Sequence, residues 1–173
     1  MHPAFSVIFF TVTSGAGYGL IALLGLFQFL HLGIFLDKNT FFISAAIAFS
    51  LFTMGLISST FHLANPKNAW RAFMRFRTSW LAREGLLAIL FYPFLFLYLY
   101  LTYIDYQIDN FIFMQAYSFT IFIFAVVIIY CTGMIYACLK TIPQWNTFWT
   151  PVNYISIGIF LGSLIFFFIL DFY

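Results

Sequence analysis

Charge is what this sequence has least of. Of its 173 residues, five are acidic and seven basic, and the acidic set includes a single glutamate. Soluble domains carry about 25% charged residues. A chain that is 7% charged and 64% hydrophobic cannot hide its apolar surface in a soluble fold of this length, so the class is integral membrane protein. Cysteine is almost as scarce. Cys131 and Cys138 lie on one apolar run. On a helix they stand roughly 10 Å apart, too far for a disulfide. There is no CxxC pair, and iron–sulfur clusters or structural zinc take about four ligands, mostly cysteine. The chain by itself is expected to hold no iron–sulfur cluster and no metal. No basic region precedes the first apolar run, so a cleaved signal peptide is not expected and the first helix should be retained. Nothing points to nucleic-acid binding. The alternating ten-residue segments of a membrane β-barrel are also missing.

What is present is hydrocarbon. Five apolar segments fall at about 5–36, 41–62, 84–104, 114–137 and 152–172. A bilayer core of about 30 Å needs about 20 apolar residues per helix, so each segment can span. The expected fold is all-α, an integral membrane bundle forming a single transmembrane domain over residues 1–173. The first segment is overlong and is expected to tilt, kink or project. Pro93 is expected to kink the third helix.

The few ionisable groups are unevenly placed. Five of the seven basic residues, Lys67, Arg71, Arg75, Arg77 and Arg83, fall between the second and third segments. Lys140 lies between the fourth and fifth. Asp37, Lys38, Asp105 and Asp109 mark the opposite side. The positive-inside rule then makes the basic connections cytoplasmic. All four tryptophans lie in those connections, as an interfacial belt requires, and Tyr98, Tyr100, Tyr103 and Tyr106 could form the opposite belt. Asn65 suits a helix N-cap and Pro66 the first helical position. Lys67, Arg71 and Arg75 then form one stripe, with Ala69, Ala72, Phe73, Phe76 and Trp80 on the other face. This reads as an interfacial amphipathic helix over about 66–80. Its charges fit either anionic lipid headgroups or a docked partner.

Ser14-Gly-Ala-Gly-Tyr-Gly19 has the look of a phosphate-binding loop, but it follows no strand and sits inside an apolar helix. Gly15 and Gly19 instead make a small-xxx-small pair, repeated by Gly158 and Gly162, which suits close helix packing. The competing reading is a quinone or lipid headgroup in the gap beside Gly17.

Two groups could do chemistry. His62 ends the second segment, with Ser58 and Ser59 on the same helical face, where either hydroxyl could fix the imidazole tautomer. Glu84 opens the third segment beside Arg83. Both sit at one membrane boundary, where oxidation of a quinol would need a base within hydrogen-bond reach. The plain alternatives are a hydrogen-bonded end residue for His62 and an Arg83–Glu84 helix anchor. A haem clamped by His31 and His62 is excluded by topology, because antiparallel helices put them on opposite sides. His2 precedes the first helix.

Several blocks carry a resemblance. They are His2-Pro-Ala-Phe-Ser-Val-Ile-Phe-Phe-Thr with Ser14-Gly-Ala-Gly-Tyr-Gly, then Ser58-Ser-Thr-Phe-His-Leu-Ala-Asn-Pro-Lys-Asn-Ala-Trp-Arg-Ala-Phe. Arg77-Thr-Ser-Trp-Leu-Ala-Arg-Glu-Gly and Thr132-Gly-Met-Ile-Tyr-Ala-Cys-Leu-Lys-Thr-Ile-Pro-Gln-Trp follow in order. Together they resemble the DmsC-type membrane anchors of dimethyl sulfoxide reductase, within the NrfD-like quinone-interacting subunits. The resemblance implies an anchor that oxidises quinol, menaquinol or ubiquinol, as a diffusible substrate in anaerobic electron transport. Electrons would pass to an iron–sulfur subunit and on to a molybdopterin catalytic subunit, with no haem or cluster in this chain. His62 and Glu84 match the family's quinol-site positions. Lys67, Arg71, Arg75 and Arg77 would face the iron–sulfur partner or lipid. The setting implied is the bacterial cytoplasmic membrane. Family members have more helices than the five here, so the chain is expected to be a fragment or a truncated reading frame. The alternatives are a small-molecule transporter fragment and a purely structural anchor. The bare midplane argues against the transporter.

Overall fold

A computed structural model describes residues 5–32, 36–60, 74–105 and 110–172. Among the described residues there are five long helices: α1 (Phe5–Phe29), α2 (Lys38–Thr60), α3 (Trp80–Tyr103), α4 (Phe111–Ala137) and α5 (Trp149–Phe172). All five are long and apolar enough to cross a membrane, and no strand occurs among the described residues. With no water in the bilayer core to satisfy the backbone, helices are the form such segments must take.

The helices alternate in direction. Ser58 Oγ at the end of α2 donates to the Ser6 carbonyl at the start of α1, at 3.0 Å. Thr53 Oγ1 lies 3.0 Å from Tyr92 Oη, and Lys38 meets Asp105 at 2.7 Å, so α2 and α3 are antiparallel. A single end of the bundle therefore collects the starts of α1, α3 and α5 and the ends of α2 and α4. The exposed Arg75, Arg77 and Lys140 lie at that end.

α1 is the central post, packed against α2, α4 and α5, while α3 packs on α4. Leu20, Ile21 and Ala22 are wholly buried. Glycines permit this crowding. A Cβ on Gly17 would come within 2.7 Å of the Ala48 carbonyl and the Phe52 amide of α2. Cβ atoms on Gly19 and Gly162 would collide with the backbone of Gly158 and of Gly19–Leu20 respectively. The two small-xxx-small pairs thus meet each other, α1 against α5 in parallel. The space beside Gly17 is filled by α2.

The boundaries differ from expectation in instructive ways. α1 stops at Phe29 rather than running to 36, because His31 takes a left-handed φ of 61°, which ends a helix. Gln115 Nε2 of α4 caps the end by donating to the Phe29 carbonyl at 3.2 Å. α3 begins at Trp80 instead of 84. Ser79 is its N-cap, extended in backbone, and accepts from the Ala82 amide. The interfacial helix expected over 66–80 therefore does not reach 80. Residues 74–78 form a short 3-10 turn and turn, and Trp80 belongs to α3. The rest of that expected helix, with Lys67 and Arg71, lies outside the described residues. Pro93 sits within an α3 that runs continuously from Trp80 to Tyr103.

Tyr98 is corrected as well. Tyr100 and Tyr103 are exposed, as belt residues are, but Tyr98 is fully buried and its hydroxyl donates to Gln28 Oε1 across to α1. Tyr98→Phe is expected to lower thermal stability in detergent by about 1 kcal/mol, the usual worth of one internal hydrogen bond. An unchanged melting curve would show that this bond contributes nothing.

Candidate functional site

Glu84 is the group to start from. It lies in the first turns of α3 and is 3% exposed. Burying a carboxyl without a partner is costly, and here the partner comes from α4. Thr132 Oγ1 donates to Glu84 Oε1, and it also lies 3.2 Å from the Ile128 carbonyl one turn back. Because α3 and α4 are antiparallel, a residue near the start of one and a residue near the end of the other share a level.

Arg83 does not pair with Glu84. Its Nε and Nη2 donate to the carbonyls of Phe76 and Arg77 at 3.0 and 2.8 Å, and its guanidinium lies 4.1 Å above the Trp80 ring. The expected alternative of an Arg83–Glu84 anchor is thereby replaced. Arg83 pins the connection ahead of α3 and leaves the carboxyl to face inward.

A cleft of about 240 Å³ opens next to this pair, between α1, α4 and α5. Its walls include Gly15 and Tyr18 of α1, Thr132 of α4, and Tyr154 and Gly158 of α5. One water occupies about 30 Å³ of liquid, so the cleft is more than a packing defect. Tyr18 stacks on Phe52 at 4.9 Å and meets Phe91 edge-on. Its hydroxyl is buried and has no hydrogen-bond partner among the described residues. Side chains lean toward the N-terminus of their helix, which brings Tyr18 back toward the end where Glu84 sits. Tyr18, Tyr136 and Tyr154 all lie within electrostatic range of Glu84. Tyr136 and Tyr154 stack at 5.3 Å.

Comparison with known proteins fits this picture. The profile of the family described as DMSO reductase anchor subunit (DmsC) matches residues 1–173. The chain belongs to the DmsC family. A sulfite dehydrogenase subunit of Allochromatium vinosum is similar to this DmsC-family chain, 31% identical over 179 residues. That match covers 95% of the chain and 54% of the relative, so the chain spans about half the relative's length. No solved structure matches. As a DmsC-family protein with five helices long and apolar enough to span among the described residues, it fits a multi-pass membrane protein.

Of the residues singled out from sequence, the DmsC-family structure describes Glu84, Ser58, Ser59, Arg75 and Arg77. Glu84 is buried beside the cleft. The Ser58 hydroxyl ties α2 to α1, while Ser59 Oγ donates to the Leu56 carbonyl of its own helix. Arg75 and Arg77 are exposed. His62, Lys67 and Arg71 lie outside the described residues. No group of three His, Cys, Asp or Glu that could hold a metal ion occurs among the described residues. Cys131 and Cys138 are free thiols, and His31 at the far end stacks on Phe111 and lies 3.2 Å from Gln115 Nε2.

Sequence reasoning missed Thr132 and Tyr18 as site residues, although both sit in the quoted family blocks. A usable signal was present for Thr132. It is a hydroxyl in an apolar helix at the level of the lone glutamate in the neighbouring antiparallel helix.

Proposed function

We propose that this chain is the membrane anchor of a molybdopterin oxidoreductase complex, and that it binds quinol and oxidises it at the basic end of the bundle. The observation that carries this reading is a family anchor whose one glutamate is buried and hydrogen-bonded beside a cleft. Quinol loses two electrons and two protons on becoming quinone. The electrons go to the iron–sulfur subunit and thence to the catalytic subunit, and Glu84 and His62 each take one proton. The chain contributes no redox centre of its own.

The basic end, with Arg75, Arg77 and Arg83 and, just before them in the sequence, Lys67 and Arg71, is the cytoplasmic side of a bacterial cytoplasmic membrane under the positive-inside rule. Its exposed cations meet lipid headgroups or the iron–sulfur partner. The name of the Allochromatium vinosum relative supports a second direction of flow. A sulfite dehydrogenase releases electrons, so the same site run backwards would reduce quinone with two electrons and two protons.

The deciding experiment is binding of a fluorescent quinol analogue to the solubilised complex. Saturable binding, displaced by added quinol, is expected. An analogue that partitions only into the detergent would leave a structural anchor as the correct reading.

A further inference from the structure

The cleft and the carboxyl do not touch directly. Glu84 is not among the wall residues, whereas Thr132 is, and its hydroxyl bonds Glu84. A threonine hydroxyl has one proton and two acceptor lone pairs. With the proton turned to Glu84 Oε1, the lone pairs remain for a donor in the cleft. The wall also includes Tyr18, whose buried hydroxyl has no partner among the described residues. Buried hydroxyls are nearly always satisfied; this one is unsatisfied and shielded from the cleft space, so it reaches a ligand atom once its ring swings toward the cleft. The rim includes the exposed apolar side chains of Val12 and Ile157, which suit a greasy substituent. The far-end cavity beside Gln28, His31 and Gln115 is about 30 Å³, room for no more than a water.

We propose, resting on the quinol reading above, that the α1–α4–α5 cleft seats the quinol headgroup, that Thr132 relays one headgroup proton to Glu84, and that the Tyr18 hydroxyl holds a ring oxygen. In the relay the headgroup O–H bond breaks and its proton joins Thr132 Oγ1. The proton already on Thr132 moves to Glu84 Oε1, so Thr132 ends neutral and Glu84 ends as the acid. The two electrons leave to the iron–sulfur subunit, and the second proton goes to His62. The thiols of Cys131 and Cys138 take no part.

The test is quinol-linked turnover in the assembled complex. Thr132→Val keeps the volume and removes the hydroxyl, so kcat should fall about tenfold or more with KM little changed. Thr132→Ser should restore it. In a Glu84→Gln background, Thr132→Val should cost nothing further, because the relay then has no base to serve. Should Thr132→Val fail to assemble, the contrast between Thr132→Ala and Thr132→Ser carries the same decision. Tyr18→Phe should raise KM while leaving thermal stability undiminished, since it removes a hydroxyl that has no protein partner to lose. A Thr132→Val complex as fast as wild type overturns the relay, and an unchanged KM in Tyr18→Phe overturns the seat. Both results leave the quinol reading standing if wild type still binds the analogue displaceably. Absence of that binding in wild type overturns the reading itself and this proposal with it.

Discussion

Gly19→Val is expected to prevent α1 and α5 from closing on each other. The side chain would be driven into the Gly158 carbonyl, which is backbone and cannot swing aside as the tip of a flexible side chain would. Overpacking a core costs about 1–3 kcal/mol when neighbours can shift. Here the two helix axes must separate, and the close dispersion contacts along the whole small-residue stripe go with them. The loss should therefore reach about 3 kcal/mol or more, at or beyond the top of that range. Thermal unfolding in detergent, followed by tryptophan fluorescence, checks it. Gly15→Ala is the internal control, since a Cβ there stands 4.0 Å from Gly158 Cα, an ordinary contact. That variant should unfold within about 0.5 kcal/mol of wild type, as neutral substitutions do. Equal stability for Gly19→Val and Gly15→Ala would mean that the two stripes do not interlock as described.

The same pair of glycines shows what could be read in advance. Their spacing announces a close helix contact, because small residues four apart share a face wherever the helix goes. Gly158 and Gly162 repeat that spacing in the last helix. Yet no local pattern states that two helices far apart in sequence will meet. The five spans are plain because apolar length alone decides them. Their ends are less so. The stop of α1 depends on the left-handed backbone of His31 and on Gln115 from another helix. The start of α3 depends on a Ser79 cap that falls within the amphipathic pattern of 66–80. Tyr98 reads as one more tyrosine in an alternating aromatic run, and only Gln28 across the interface tells it from its exposed neighbours.

The site divides along the same line. Glu84 is visible because it is the chain's single glutamate and lies in a membrane helix, where an ionisable group is costly enough to demand a reason. Thr132, 48 residues further on, is one hydroxyl among many, set apart only by its level opposite Glu84 in the next antiparallel helix. Its importance comes from standing between a carboxyl and a cleft, and that relation exists only once the helices are assembled. Tyr18 follows the same course. In sequence it is a spacer within a glycine stripe, and in the fold it is the wall residue with an unsatisfied hydroxyl among the described residues.

Glu84→Gln is expected to separate chemistry from structure at this position. Glutamine has nearly the same shape, and its side-chain carbonyl can still accept from Thr132 Oγ1. The helix contact should survive, with thermal stability changed by no more than about 1 kcal/mol. What glutamine cannot do is take a proton. Removing a general base costs about 10²–10⁴ in rate, so quinol-linked turnover of the assembled complex should fall by about 10² or more. His62→Ala should abolish turnover in the same assay while leaving the subunits associated. Glu84→Ala provides the contrasting structural case. It empties buried space and leaves the Thr132 hydroxyl without its main acceptor, so stability and turnover should fall together. If Glu84→Gln lost stability as Glu84→Ala does, the carboxyl would be a packing element held by its charge. If Glu84→Gln kept full turnover, proton acceptance would belong elsewhere, and His62 would be left as the only base of the pair. The proposed role requires the intermediate result: an intact bundle that cannot take a proton from quinol at this position.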